Sequence, residues 1–172
     1  MKIYTDFDLT TYNTFGIAAK AAIFLVIEHP NDFSTALREY WKPMHILGGG
    51  SNLVLTQDID WVVRHITYDT ISENSITLWN NNTEILWDTS YITVGGGMIR
   101  NEFVRYTIQQ WLRWAENLIA IPGCVWAAPV QNIGAYWVEL QDICYSVDIF
   151  DIETAECKTL SKEDCHFAYR HS

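Results

Sequence analysis

The chain has 172 residues, with 11 basic against 21 acidic side chains and a formal net charge of −10. Apolar residues make up 49% and charged residues 19%, a globular composition with enough material for one real core or two small subdomains. The acidic balance argues against nucleic acid and anionic membranes as partners, since both select clustered Lys and Arg.

Lys2–Tyr4 reads as a short strand. Ala22–Ile27 is a continuous, partly β-branched apolar run bounded by Lys20 and by Glu28-His29-Pro30, the pattern of a buried strand. It lies in the longest wholly apolar stretch, Ala21–Ile27, which is too short to span a bilayer. Met1–Asp8 is charged and has no apolar core, so no signal peptide is expected, and a cytoplasmic chain with reduced thiols is. Asn31 is the expected N-cap of a helix over Asp32–Tyr40, with Phe33, Leu37 and Tyr40 at helical spacing. His45–Leu47 is a short strand entering Gly48-Gly49-Gly50-Ser51-Asn52. Leu53–Leu55 and Trp61–Ile66 read as further strands, and Ile76–Leu78, Glu84–Trp87 and Tyr91–Val94 as an antiparallel meander. Met98–Leu112 has helical spacing. Glu116–Trp137 has no clear period and is too apolar for a solvent loop; such segments wrap a ligand or line a pocket. Ile143–Ile152 and Lys158–Leu160 alternate as strands, and Ser161 with Asp164 can cap a turn through Cys165. The fold class expected is α+β in two consecutive lobes, about 1–66 and about 67–172.

Four places carry chemistry. Successive glycines at Gly48, Gly49 and Gly50, after a strand, let backbone N–H groups converge on an anion, with Ser51 and Asn52 adding side-chain hydrogen bonds; a glycine turn without a ligand is the plain alternative. Gly95-Gly96-Gly97 can receive a phosphate at a helix N-terminus or simply join strand to helix. From Ile121 through Gly123 to Tyr136, small residues let a flat ligand lie against the backbone, and Gln131 and Asn132 offer amides to a heterocycle edge; an unusual core loop is the alternative. At the end of the chain, Arg170 beside Tyr169 suits a carboxylate, or is merely solvated. No CxxC occurs, and Cys165-His166 with His171 fits no common zinc spacing, so no metal is expected.

Asn13-Thr14-Phe15-Gly16, Leu47–Asn52, Glu116-Asn117-Leu118 with Ile121-Pro122-Gly123, Pro129–Tyr136 and Cys165–Ser172 occur in an order and spacing that resembles the UDP-N-acetylenolpyruvoylglucosamine reductase family, over almost the whole chain. The stretch Gln131–Tyr136 is the most specific part. The resemblance implies the two-lobed FAD-binding domain of the vanillyl-alcohol-oxidase (PCMH) type. It also implies a reaction of peptidoglycan precursor synthesis, and hence of cell-wall growth, shape and division. NADPH reduces FAD, and hydride passes from the flavin to UDP-N-acetylglucosamine enolpyruvate, giving UDP-N-acetylmuramate. By the same resemblance, Gly48, Gly49, Gly50, Ser51 and Asn52 hold the FAD pyrophosphate. Gly123, Ala127, Ala128, Pro129, Gln131, Asn132, Gly134, Ala135 and Tyr136 wrap the cofactor. Tyr169 contacts a UDP-sugar substrate, and Arg170 is the catalytic arginine that stabilises the developing enolate oxygen. A monomer is expected. Another FAD-linked oxidoreductase on the same scaffold, or a non-catalytic glycan-binding module built on the many aromatic rings, are the alternatives.

Two departures stand out. The family continues well past Ser172 into a substrate domain carrying the proton-donating serine and an assisting glutamate, so this stretch alone is expected not to complete the reaction. There are also 8 Trp against only 9 Gly. Trp126, Trp137, Trp111, Trp114 and Trp61, and by extension Trp41, stand where the resemblance has glycine, which suggests UGA codons that some bacterial lineages read as glycine; a diverged or decaying reductase is the alternative.

Overall fold

The structure is a computed structural model that describes residues 1–40, 44–80, 84–112 and 114–172, with 74–80 and 84–90 described as backbone. β1 (Lys2–Asp8), β2 (Lys20–Ile27), β3 (Met44–Leu47) and β4 (Ile59–Ile66) form a sheet in the order β1-β2-β4-β3. β1 is antiparallel to β2, whereas β2, β4 and β3 are parallel, with Ile27 opposite Ile66 and Leu47 opposite His65. The carboxyl ends of all three parallel strands therefore reach one edge, where ligands of open α/β sheets bind.

Both faces of the central strand β2 are covered, which is why it reads as an unbroken apolar run. One face puts Leu25, Ile27, Val62 and Ile66 against Phe33, Ala36 and Leu37 of α1 (Pro30–Glu39). The other packs Ala21, Phe24, Leu47 and Val63 against Leu9, Ala19 and Leu55 of covering loops. Arg64, almost wholly buried in β4, donates to the carbonyls of Ala36 and Tyr40 at 3.1 and 2.9 Å, satisfying the carboxyl end of α1.

The rest of the chain forms a hairpin of β5 (Ile71–Asn80) and β6 (Glu84–Val94), then α2 (Arg100–Gln109) and a 3-10 turn at Ala115–Leu118. The short α3 (Ala127–Val130), the two-residue strands β7 (Gly134–Ala135) and β8 (Val138–Glu139), and α4 (Leu140–Ile143) follow. Val104, Leu118, Ala128 and Ile133 make a third core cluster. The hairpin β9 (Ser146–Phe150)–β10 (Cys157–Ser161) folds back on α1: the rings of Phe150 and Phe33 stack at 5.1 Å, and the Ser34 hydroxyl donates to the Ala155 carbonyl at 3.0 Å.

Several expectations are corrected. The N-cap of α1 is His29, two residues earlier than Asn31; the Asp32 carboxylate accepts from the His29 N–H at 3.0 Å, and Pro30 begins the helix. Leu53–Leu55 is no strand: Leu55 is apolar because the loop covers the sheet. The meander is two strands, because polar Asp88-Thr89-Ser90 pairs with Thr77, Ile76 and Ser75 in mid-hairpin and does not turn. Ile143–Ile152 is interrupted because Asp142 caps α4 through the Glu139 N–H, so β9 starts only at Ser146.

Candidate functional site

The glycine turn leaves the carboxyl end of β3. Its root is fixed by His65, whose Nδ1 lies 3.2 Å from the Leu47 carbonyl as a donor. Gly50 has φ +63°, and a Cβ there would lie 2.0 Å from the Tyr12 carbonyl oxygen, so only glycine fits. The Thr14 N–H and hydroxyl donate to the Gly50 carbonyl at 3.2 and 3.4 Å. Buried Asn13 shapes the segment that carries Thr14: its amide donates to the carbonyls of Leu9 and Ile17 at 3.0 and 2.9 Å, and its carbonyl accepts the Ile17 N–H at 2.9 Å. The Asn13–Gly16 motif is thus the brace of the glycine turn.

Across from the turn stands the loop Ile121–Cys124. Gly123 has φ +114°; a Cβ on Gly49 would lie 3.8 Å from the Gly123 Cα, and one on Gly123 3.5 Å from the Ser51 hydroxyl. The two glycine segments face each other. Arg100 holds the second one. Only 4% exposed, its guanidinium donates to the carbonyls of Ile121, Pro122 and Cys124 at 3.4, 3.1 and 3.1 Å, while its backbone N–H donates to the Gly123 carbonyl at 3.0 Å. Sequence reasoning missed Arg100; nothing in Met98–Leu112 distinguishes it from a surface cation. Burial pushes the Cys124 thiol up, against the pull of the Gly49 N–H and of Arg100, so it is an inert packing group. The Gly95 and Gly97 N–H groups donate to the carbonyls of Thr70 and Tyr68, both at 2.8 Å, which makes that triplet a close backbone crossing whose N–H groups at 95 and 97 are already occupied.

The remaining sequence-predicted residues gather around Asn132. Its side chain is fully buried with φ +39°; its amide donates to Glu139 Oε2 and the Ala168 carbonyl at 2.8 and 3.0 Å, and its oxygen accepts the Gln141 N–H at 3.0 Å. The expectation that this amide meets a heterocycle edge is replaced by a positioning role, because burial within the protein occupies it. Ala128 is likewise a core residue, 4% exposed, and not part of a ligand wall. Ala127, Pro129, Gly134 and Ala135 are half-buried, and Gln131 and Tyr136 are exposed. The Ala168 anchored by Asn132 begins a tight turn closed by reciprocal Ala168–His171 backbone bonds of 2.9 and 3.1 Å. Tyr169 and Arg170 form its exposed tip, and Arg170 donates to the Gly134 carbonyl at 3.4 Å. The predicted residues therefore fall into two groups, Gly48–Ser51 with Gly123, and Asn132–Gly134 with Arg170, with α3 between them in the chain. Among the described residues no group of three or more His, Cys, Asp or Glu is arranged to hold a metal ion, and no helix is long and apolar enough to cross a membrane.

Residues 21–161 match the family described as FAD binding domain. A UDP-N-acetylenolpyruvoylglucosamine reductase of Neisseria gonorrhoeae is 42% identical over 168 residues, covering 96% of this chain and 46% of its own length. The Flavobacterium johnsoniae protein of the same name is 39% identical over 176 residues, covering 100% of this chain and 49% of its own. The chain spans about half the length of the curated relatives it matches. The crystal structure of the UDP-N-acetylenolpyruvylglucosamine reductase of Thermus caldophilus matches with a TM-score of 0.72 at 24% identity, covering 99% of this chain and 56% of that one, and shares its fold.

Proposed function

Because the chain belongs to the FAD binding domain family, we propose that it is the cofactor-binding portion of a FAD-dependent, NADPH-using reductase that converts UDP-N-acetylglucosamine enolpyruvate to UDP-N-acetylmuramate. The observation that carries this reading is the meeting of two glycine segments, Gly48–Gly50 and Gly123, at the carboxyl edge of parallel strands. Bare backbone of this kind admits a pyrophosphate. The reductases that match at 42% and 39% identity support the choice of reaction.

FAD, when bound, supplies hydride transfer. The chain's own residues supply placement. Gly48, Gly49, Gly50, Ser51 and Asn52 would receive the pyrophosphate. Gly123 and the segment Ala127–Tyr136 would flank the remainder, with Ala128 and Asn132 acting from behind. Arg170 would set its charge beside the enolate oxygen of a UDP-sugar substrate that Tyr169 touches; both lie on an exposed tip, where Arg170 would exchange its 3.4 Å bond to the Gly134 carbonyl for the substrate. A monomer working in the cytoplasm, serving cell-wall growth, cell shape and division, completes the reading, with neither nucleic acid nor membrane as partner.

Titrating FAD into the protein and following quenching of flavin fluorescence tests it. Saturable binding is expected, and Gly50→Val, which drives a side chain into Tyr12, weakens it by about tenfold or more. A folded protein that leaves flavin fluorescence untouched but retains glycans on an affinity column would replace this reading with the glycan-binding one.

A further inference from the structure

Trp126 occupies the place where the glycine segments converge. Its backbone N–H donates to the Gly96 carbonyl at 3.0 Å, and a Cβ on Gly96 would lie 3.0 Å from the Trp126 Cβ. The indole packs onto the cluster of Leu25, Ile27 and Val62 and reaches the glycine turn, where a Cβ on Gly48 would lie 2.8 Å from Nε1. That Nε1–H is buried without a hydrogen-bond acceptor. A buried donor without an acceptor is destabilising. The indole thus fills the slot beside the glycine turn at the expense of its own polar atom.

Three other tryptophans sit on backbone built for glycine. Trp111 follows α2 with φ +60°: its N–H donates to the Ile108 carbonyl at 3.1 Å, and the Leu112 N–H donates to the Thr107 carbonyl at 2.9 Å. This is a Schellman motif with Trp111 at the left-handed position that glycine ordinarily holds. Trp137 is the second residue of the two-residue loop between β7 and β8; Tyr136 has φ +52° and Trp137 φ +68°. Positive φ at both central residues is a type I′ turn, whose second place favours glycine. Trp114 has φ +86°. These three indoles are 90%, 103% and 66% exposed for Trp111, Trp137 and Trp114, so no packing repays the strained backbone. Trp61, by contrast, lies in extended β4 and stacks on His45 at 5.2 Å, which gives no reason for glycine there; Trp41 is outside the described residues.

We propose that positions 111, 114, 126 and 137 are glycine in the protein its host makes, through UGA codons decoded as glycine, and that glycine at 126 leaves the slot beside Gly48 open to FAD. Three of the ten non-glycine residues with positive φ among the described residues are tryptophan, and together with Trp126, whose buried Nε1–H lacks an acceptor, they are accounted for by one decoding rule. The claim about 126 rests on the reading that FAD lies along the glycine turn.

Two measurements test it. Peptide masses of the protein isolated from its host show glycine at all four positions; tryptophan at any of them overturns the decoding. In recombinant protein, Trp126→Gly binds FAD about tenfold or more tightly than the chain with tryptophan, by flavin quenching, whereas Trp137→Gly raises the melting temperature and leaves FAD affinity unchanged. Equal affinity with tryptophan or glycine at 126 overturns the slot while the FAD reading stands. Folded chains that bind no FAD with either residue overturn both. Should the tryptophan chain fail to fold, the same comparison is made between the fourfold glycine chain and that chain with tryptophan restored at 126 alone.

Discussion

Asn13, Arg100 and Asn132 each commit a buried side chain to backbone groups, Asn13 within its own turn and the other two far along the chain. Asn13→Ala would strand the Ile17 N–H and the carbonyls it now pairs. A loss of about 2 kcal/mol is expected, read by urea denaturation. Arg100→Lys keeps the charge but loses the fork that serves Pro122 and Cys124 together. It should loosen Gly123 and weaken FAD binding by about tenfold in a titration, with only a small change in melting temperature. Such residues are hard to read in a sequence. Asn13 looks like any turn asparagine until its partners at Leu9 and Ile17 are known, and Arg100 looks like a surface cation at the head of a helix. Gly48–Gly50 and Gly123 are legible because glycine has few other reasons to cluster. Asn132 is legible as a site residue but not in its role, since only the fold brings Ala168 to it.

At the scale of elements, legibility follows burial. β2 could be read because both its faces are covered, and α1 because Phe33 and Leu37 lie on one side. β6 could not, because the middle of a two-stranded ribbon accommodates the same Asp-Thr-Ser that a turn favours. The turns carrying Trp111 and Trp137 make a sharp expectation for stability. Trp111→Gly and Trp137→Gly should each stabilise by about 1 kcal/mol, because glycine meets positive φ without a Cβ penalty. Each should therefore raise the melting temperature by about 3 °C in a chain of this size. Trp61→Gly, in the middle of β4, should do the opposite, lowering it by a similar amount because a strand interior disfavours glycine.

For the molecule as a whole, two groups shape the response to acid. Burial holds His65 below its ordinary 6.5, opposed by its bond to the Leu47 carbonyl. Its unfolded form therefore takes the proton first, so this contribution to stability is complete above pH 6.5 and declines as pH falls below it. Asp151 is held down to about 2, first by Lys158 and then by the Thr154 and Glu153 N–H groups. Its contribution is present above 3.8 and is lost as pH falls towards 2. Melting curves across pH should show both limbs, with His65→Gln weakening the upper and Asp151→Asn reducing the lower, to which Asp8, Glu28, Asp32 and Asp164, also held below their usual range, contribute.

The β9–β10 hairpin has a consequence for the order in which the molecule can be made. Ala155 completes the core cluster that begins with Leu25 and Phe33, and its carbonyl meets Ser34 across a separation of 121 residues. During synthesis the outer face of α1 therefore stays uncovered until nearly all of the 172 residues have emerged from the ribosome. Contacts this remote close slowly. The sheet of β1 to β4 therefore gains this part of its cover only after β9 and β10 have been made. Nascent chains stalled before β9 should be cut readily near Phe33 by added protease, and chains released after β10 should resist.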